Sequence, residues 1–251
     1  MKISHCFLLL LVIWGCNNPA SKETNEETPE STHKQSFTVE HAGALKNMMH
    51  KGDLNAYADL NAFHSTHHFY AIGALEGLKG EILVLDGVPY ISSVQENSLK
   101  IDDSFDYKAS LLVHSQISKW DTTNIDEEVQ TYAELEDFVA ATAQSEHIDI
   151  TKPFPFLLEG LADSLSWHVI NWPEEDSVHT HEKHIRSGLH GTLQSVEATI
   201  LGFYSDSHHA VFTHHTTNMH LHFLSNDRSL TGHVDRLVLG KGMKLLLPKV
   251  E

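Results

Sequence analysis

The sequence predicts an α+β protein, with short helices in its first half and an antiparallel sheet in its last hundred residues. Between residues 156 and 248, apolar and polar residues alternate in short runs separated by turns, as in half-buried strands. A helical period appears in residues 41–63 and 131–147. No internal repeat is evident. We therefore expect one large domain or two fused sheets, with an N-terminal half over 38–150 and a C-terminal half over 151–251.

The first sixteen residues have the pattern of an export signal. Lys2 precedes a short apolar run, residues 7–14, which is followed by Gly15 and Cys16. This order is typical of a secretory signal peptide, and the run is too short to span a bilayer. Cys16 after a small residue resembles the cleavage site of bacterial lipoproteins, so we predict lipidation of Cys16, export, and a lipid anchor in the bacterial cell envelope. The alternative is an uncleaved apolar anchor.

The composition limits the partners and the metal ligands. Residues 17–37 are polar and have no hydrophobic period, which predicts a disordered tether. Cleavage before Cys16 would discard Cys6 and leave no free thiolate, so a metal would be bound by His, Asp or Glu. The formal net charge of −17 argues against nucleic acid as a partner.

The elements of the folded part follow in order. Residues 41–63 predict one or two short helices, and Asp86-Gly87 between two apolar runs predicts a β-hairpin. A further strand is expected over 106–120 and a longer helix over 131–147. Two prolines near residue 154 then interrupt the chain. Five strand candidates follow them, at residues 156–172, 191–205, 209–225, 233–240 and 243–248.

Three histidines occupy a predicted hairpin near the C terminus. If residues 211–224 form a strand, His220 and His222 project from the same face, together with His214. The turn-like segment 225–232 can bring His233 back opposite the pair. Three neutral imidazoles suit zinc, with Zn–N distances of about 2.0–2.1 Å, and leave a coordination position open for water or substrate. The alternative is a solvent-facing polar strand, because the chain contains 21 histidines.

The segment that carries these histidines resembles a known family. "HLHFLSNDRSLTGHV", residues 220–234, is similar to the signature of the α-acetolactate decarboxylases. Residues 73–90, "GALEGLKGEILVLDGVPY", and residues 198–205, "ATILGFYS", resemble two further segments of that family and occur in its order. The three matches together span roughly residues 68–240, most of the folded part.

The resemblance implies two packed, mixed or antiparallel β-sheets with a few helices. It implies a zinc ion bound by His220, His222 and His233, and Glu81 as the catalytic acidic residue. The family removes CO2 from 2-acetolactate to give acetoin through an enediolate, which a zinc ion stabilises as a Lewis acid. Glu81 can pass a proton to the product carbon. The implied partner is a small 2-hydroxy-3-keto acid, and the resemblance allows a homodimer.

The sequence departs from the family pattern at two places. The family has an arginine in an Arg-apolar-Asp-Gly segment, and its position falls on Leu157, ahead of Glu159-Gly160. A guanidinium binds an anionic substrate in a bidentate manner and leucine cannot, which puts the identity of the substrate in doubt. The family also supplies a glutamate near its C terminus, for which Glu251 is the candidate here.

A histidine-rich block that is not typical of the family offers replacements for the arginine. His168 could line the pocket, and Lys183 or Arg186 could bind the negative charge of the substrate. One alternative is that these histidines are solvated on loops. Another is a second metal site, formed by His179, His181 and His184.

Three functions therefore remain open. The first is zinc-dependent decarboxylation of 2-acetolactate by a lipid-anchored enzyme. The second keeps the fold and the metal site but acts as a different zinc lyase, isomerase or hydrolase. The third is a non-enzymatic envelope lipoprotein that stores zinc through its histidines. Stoichiometry separates the third function from the others, because a buffer binds several ions with similar affinity and an enzyme holds one tightly.

Overall fold

A computed structural model describes residues 35–250 of the chain, which belong to one compact unit. Within this range the chain forms two β-sheets and three α-helices. The predicted signal peptide with Cys16, most of the predicted tether, and Glu251 lie outside the described residues. No helix of the described part has the length and apolar character needed to cross a membrane.

The first sheet is antiparallel and contains seven strands. They follow the order β1-β7-β3-β4-β5-β6, and β2 pairs with β7 beside β1. The strands are β1 (Glu40–Ala42), β2 (Ala58–Asp59), β3 (Phe69–Leu75), β4 (Glu81–Leu85), β5 (Val88–Gln95), β6 (Ser98–Asp102) and β7 (Lys108–Gln116).

The second sheet contains six strands, in the order β10-β11-β12-β9-β13-β8. The long strand β9 pairs with both β10 and β12, so that β9, β10, β11 and β12 close into a ring. The strands are β8 (Trp120–Asn124), β9 (Phe154–Val169), β10 (Leu189–Tyr204), β11 (Met219–Ser225), β12 (Thr231–Leu239) and β13 (Lys244–Pro248).

Three α-helices and two 3-10 turns join the strands. They are α1 (Leu45–Lys51), α2 (Tyr132–Ser145), α3 (His181–Arg186), and 3-10 turns at Leu60–Phe63 and Glu76–Leu78. Helix α2 confirms the helix expected over 131–147. It begins at a capping box in which the Thr131 side chain accepts from the Glu134 N–H, and the Glu134 carboxylate accepts from the Thr131 N–H, an arrangement that satisfies free donors at a helix start.

The hairpin expected at Asp86-Gly87 is also present. Leu85 pairs with Val88 across the turn, and both turn residues have positive φ, 48° for Asp86 and 79° for Gly87. Two-residue turns of this kind match the twist of the flanking strands. The hairpin carries β4, which packs against β11 and β12 of the second sheet.

Two sequence predictions differ from the structure in their bounds. The strand expected over 211–224 begins only at Met219, because a turn held by the His208 carbonyl occupies residues 208–213. His214 therefore lies outside the β11 ladder. The single strand expected over 106–120 is divided into β7 and β8, which belong to different sheets.

Candidate metal centre

Three histidines converge on neighbouring strands of the second sheet. His222 on β11 lies directly opposite His233 on β12, and His220 shares the face of His222 because it is two residues away. One ligand nitrogen from each ring lies within 4.8 Å of the others, and the Nε2 atoms of His220 and His222 are 3.1 Å apart. The structure thus brings the three predicted ligands together. We call this group the histidine cluster.

The three rings of the histidine cluster are neutral. Burial lowers the pKa of His220 to about 4 and lowers the pKa values of His222 and His233 well below their usual range. Hydrogen bonds with the backbone of Phe212 and of Ile82 raise the pKa values of His220 and His222, but by less than burial lowers them. Converging neutral imidazoles are a donor set that fits zinc or another first-row divalent ion.

Glu81 faces the histidine cluster from the first sheet. It begins β4 and is 5% exposed. Its Oε2 lies 3.7 Å from His222 Nε2, and its Oε1 lies 3.7 Å from His168 Nε2. The Ile170 N–H donates to Oε1 at 3.2 Å. Burial raises the pKa of Glu81 to about 7, which suits a group that exchanges a proton near neutral pH.

His168 lies beside the histidine cluster, at the end of β9. It pairs with His233 across the ladder, and the two ring centroids are 4.9 Å apart. Its Nδ1 donates to both carboxylate oxygens of Asp235, at 2.9 and 3.0 Å. Burial lowers the pKa of His168, but Asp235 and Glu81 raise it, and the net shift is upward.

Asp235 is a site residue that the sequence interpretation missed. A β-bulge interrupts the pairing of β12 with β9 between Val234 and Arg236, and bulges redirect side chains. Asp235 follows His233 by two residues, so the two-residue period of a strand could have placed it on the same face. Its carboxylate reaches His168, a partner 67 residues away in sequence.

Lys183 and Arg186 are not brought to the histidine cluster. Lys183 Nζ lies 2.5 Å from an Asp176 oxygen and 5.8 Å from the centre of the Trp172 ring. Arg186 pairs with Glu182 at 2.9 Å, and its side chain is 71% exposed. Both cations line a surface depression beside Trp172 whose lining includes none of the cluster histidines.

His179, His181 and His184 do not form a second metal site. His179 Nδ1 lies 2.9 Å from His184 Nε2, but these two rings pack against Trp172, with centroid distances of 4.3 and 4.8 Å. The His181 ring instead packs against His214. Among the described residues, the groups of three ligand atoms close enough for a metal include none of these three histidines.

Leu157 shares a face with the histidine cluster. Leu157 lies opposite Leu201, which in turn lies opposite His222, and directly paired residues project to the same side of a sheet. Two strand spacings separate Leu157 from His222, a distance of roughly 10 Å. Leu157 is 4% exposed and belongs to the apolar core. The position at which the sequence resemblance expects the family's arginine therefore faces the site but carries no charge.

The fold and the histidine cluster together define a two-sheet protein with a candidate metal centre between its sheets. The family model for alpha-acetolactate decarboxylase matches residues 42–247. The chain therefore belongs to the alpha-acetolactate decarboxylase family.

Individual relatives agree with this assignment. The alpha-acetolactate decarboxylase of Lactococcus lactis subsp. lactis (strain IL1403) is 25% identical over 205 residues, which cover 80% of this chain and 76% of that protein. The solved alpha-acetolactate decarboxylase of Bacillus subtilis strain 168 superposes with a TM-score of 0.66 at 15% identity, over 85% of this chain and 86% of that chain.

A Staphylococcus aureus protein of unknown function, similar to alpha-acetolactate decarboxylase, gives a TM-score of 0.63 at 19% identity over 85% of this chain and 86% of its own. These similarities confirm the predicted α+β fold and the predicted family. Family membership supports carboxy-lyase activity on a small molecule at the level of the family.

Proposed function

We propose that this protein catalyses the zinc-dependent decarboxylation of 2-acetolactate to acetoin and CO2. One observation carries the proposal: three neutral histidines of the second sheet converge, two of them buried, and a carboxylate of the first sheet lies 3.7 Å from one of them. Membership in a decarboxylase family supports the class of reaction.

The histidine cluster fits the metal that the family implies. His220, His222 and His233 would hold the ion through imidazole nitrogens, and burial already keeps the three rings unprotonated. A bound zinc ion supplies Lewis acidity for the negative charge that develops as CO2 leaves. Three histidine ligands leave room for the substrate, which is the pattern of catalytic zinc sites.

Glu81 supplies the proton in this proposal. Near neutral pH its pKa of about 7 keeps both protonation states populated, so it can deliver a proton to the carbon that has lost CO2 and then regain one. The Ile170 N–H holds Oε1 in place, which leaves Oε2 on the side of His222. His168 lines the same space and is proposed to bind the substrate.

Glu251 remains a candidate for a second catalytic glutamate. Its role can be measured with a Glu251→Gln variant, whose acetoin formation should fall while its zinc content stays that of the wild type. Unchanged acetoin formation would remove Glu251 from the proposal.

The second candidate function is the same metal site acting on a different substrate. The uncharged side chain of Leu157 favours this candidate. Without the family's arginine, the site could act as a zinc lyase or hydrolase on a less anionic compound. The zinc-storage alternative has less support. The two metal-sized groups found among the described residues share His233, so they accommodate one ion in place of several.

The test uses residues 33–251, the unit that contains the described part of the chain. Zinc is quantified, racemic 2-acetolactate is added, and acetoin is followed in the wild type and in His222→Ala. We expect zinc-dependent acetoin that disappears in the variant. One tightly bound zinc without acetoin would reject acetolactate as the substrate. Several weakly bound ions without acetoin would favour zinc storage.

We also propose that the chain is exported and anchored to the cell envelope by a lipid on Cys16. The supporting evidence is the pattern of residues 1–16. Cells expressing the full chain should incorporate labelled palmitate into it, and Cys16→Ala should abolish the incorporation. Labelling that survives this substitution would reject the anchor. A homodimer stays an expectation that analytical ultracentrifugation can test.

A further inference from the structure

We infer that Ser92 is a substrate-binding residue of the candidate metal centre. Its hydroxyl forms a hydrogen bond with an oxygen of the substrate, beside the carboxylate of Glu81. The inference rests on the proposed function in one respect, namely that a small hydroxy-keto acid occupies the space between Glu81 and the histidine cluster.

The hydroxyl of Ser92 is buried and unpaired. Ser92 is 0% exposed, and within residues 35–250 its Oγ has no hydrogen-bond partner. A buried hydroxyl without a partner costs free energy, because it has given up its hydrogen bonds to water. Nearly all buried polar groups of native proteins are paired, so an unpaired one beside a catalytic carboxylate points to a bound ligand as its partner.

The other buried serines of the described part differ from Ser92 in this respect. Each of them has a hydrogen-bond partner inside the protein, at 2.6 to 2.8 Å. They are Ser110 with the Leu54 carbonyl, Ser115 with the Thr38 carbonyl, Ser205 with His208 Nδ1, and Ser225 with an Asp227 oxygen. The fold thus satisfies the hydroxyls of these four serines and leaves that of Ser92 free.

The pairing of β4 with β5 places Ser92 beside Glu81. The two residues lie directly opposite each other, so their side chains project from the same face, with Cβ atoms about 5 Å apart. This face is turned to the second sheet, because the Glu81 carboxylate lies 3.7 Å from His222 and from His168. Strand β5 also packs against β12, which carries His233. The Ser92 hydroxyl therefore borders the space between Glu81 and the histidine cluster.

Small side chains flank Glu81 on both sides in the first sheet. Its partner on β3 is Ala74, and its partner on β5 is Ser92. Ala74 is partly exposed, so the second sheet does not fully cover this row of residues. Ser92 is buried to the same extent as His222, which is also 0% exposed. Its burial is therefore that of a group at the centre of the site.

A serine hydroxyl is chemically suited to a hydroxy-keto acid. It can donate and accept a hydrogen bond, and the substrate offers carboxylate, hydroxyl and keto oxygens. Because the hydroxyl is uncharged, it adds no charge to a site that contains Glu81 and the proposed zinc ion. Leu157, on the second sheet, belongs to the apolar core and offers no polar atom. Ser92 thus supplies a directional contact from the opposite sheet.

The experiment measures binding of a stable substrate analogue to the zinc-loaded protein by titration calorimetry. The probe is 2,3-dihydroxy-2-methylbutanoate, in which an alcohol replaces the ketone of acetolactate, so that CO2 cannot leave. The variant is Ser92→Ala, which removes one buried, unpaired oxygen atom. The matched control is Ser115→Ala, because Ser115 is also a buried serine of the first sheet and its hydroxyl donates to the Thr38 carbonyl.

We expect Ser92→Ala to weaken binding of the probe by about threefold to tenfold, the range for one lost hydrogen bond of an uncharged group. Ser115→Ala should bind the probe as the wild type does. Zinc affinity, measured by competition with a chromophoric chelator, should be unchanged in both variants, because neither serine is a proposed ligand.

A double variant separates a contact to the substrate from an effect on Glu81. The loss caused by Ser92→Ala should persist when it is combined with Glu81→Gln, since two groups that contact the probe independently contribute additively. A loss that disappears in the Glu81→Gln background would show that the hydroxyl acts through Glu81, and it would overturn the substrate contact.

Thermal unfolding without added metal or probe gives a second readout. Ser115→Ala should lower the midpoint temperature by about 2–4 °C, because it breaks a hydrogen bond of the folded protein. Ser92→Ala should leave the midpoint unchanged or raise it, since it removes a buried hydroxyl that has no partner. An equal fall in both variants would show that the Ser92 hydroxyl is already bonded in the free protein and would overturn the inference.

The inference also fails if Ser92→Ala binds the probe as tightly as the wild type. This failure differs from failure of the proposed function. If the wild type binds the probe through Ser92 and yet forms no acetoin, the proposed reaction is wrong and the contact stands. If acetoin forms and probe binding is insensitive to Ser92→Ala, the inference alone is wrong.

Discussion

Two histidine-rich regions of this chain are close in composition and differ in what their geometry does. The histidine cluster draws His220, His222 and His233 from a hairpin of two strands. The block around α3 places His179, His181 and His184 within six residues, which is a tighter spacing. Only the hairpin turns its imidazole nitrogens toward one point. Density of histidine in the sequence therefore does not identify a metal site.

The difference lies in the backbone that carries the side chains. A β-ladder places paired residues at fixed separations and on one face, so His222 and His233 must meet. Helix α3 has six residues and directs its histidines apart: His184 packs on Trp172, and His181 packs on His214. In the block around α3, the histidines serve as packing groups that are partly shielded from water.

The largest expected difference between the two regions is the effect on zinc affinity of replacing one histidine in each. His222→Ala should weaken zinc binding by more than about 100-fold, because even changes outside the ligand shell cost 10-fold to 100-fold. His184→Ala, the matched control, should retain wild-type affinity. Competition with a chromophoric chelator measures both values. Equal losses in the two variants would mean that the regions share one metal site.

Acetoin formation compares the two regions in catalysis, through one carboxylate beside each of them. Glu81→Gln should lower acetoin formation by about 100-fold to 10,000-fold, the usual contribution of a general acid or base, and should leave the zinc content unchanged. Glu182→Gln, on α3, removes an exposed carboxylate that pairs with Arg186 and should have no such effect. Full activity of Glu81→Gln would mean that a group other than Glu81 supplies the proton.

A histidine of the block around α3 should make the stability of the protein depend on pH. Burial lowers the pKa of His184 to about 4, so between about pH 6.5 and pH 4 the unfolded chain binds a proton that the folded chain does not. Stability should therefore fall as the pH falls through this window. Urea unfolding of His184→Gln should show a shallower fall than the wild type. An equal slope in both proteins would contradict a partly buried, neutral His184.

The smallest effects are expected at the two cations of α3. Lys183→Gln and Arg186→Gln should each change kcat/KM for 2-acetolactate by less than about twofold, because exposed ion pairs contribute little and neither side chain reaches the histidine cluster. A loss of 10-fold or more in either variant would show that α3 moves over the site during turnover.

Much of the fold followed from local patterns. The Asp86-Gly87 turn predicted its hairpin, and the Thr131–Glu134 capping box marks the start of α2. Predictions were weaker where the start of a strand depends on the backbone hydrogen bonds of a preceding turn. The strand expected over 211–224 begins late, since the His208 carbonyl binds three successive N–H groups and holds a turn that no hydrophobic period reveals.

The sequence by itself predicted the histidine cluster, through a two-residue strand period and one short turn, and it predicted the family, through the resemblance of three segments to that family. Only the tertiary structure decided the group of Glu81, His168 and Asp235, which lie on β4, β9 and β12 of two different sheets. It also separated Lys183 from the site by pairing it with Asp176. Such contacts arise from the packing of sheets and from a β-bulge, and local periodicity carries no information about either.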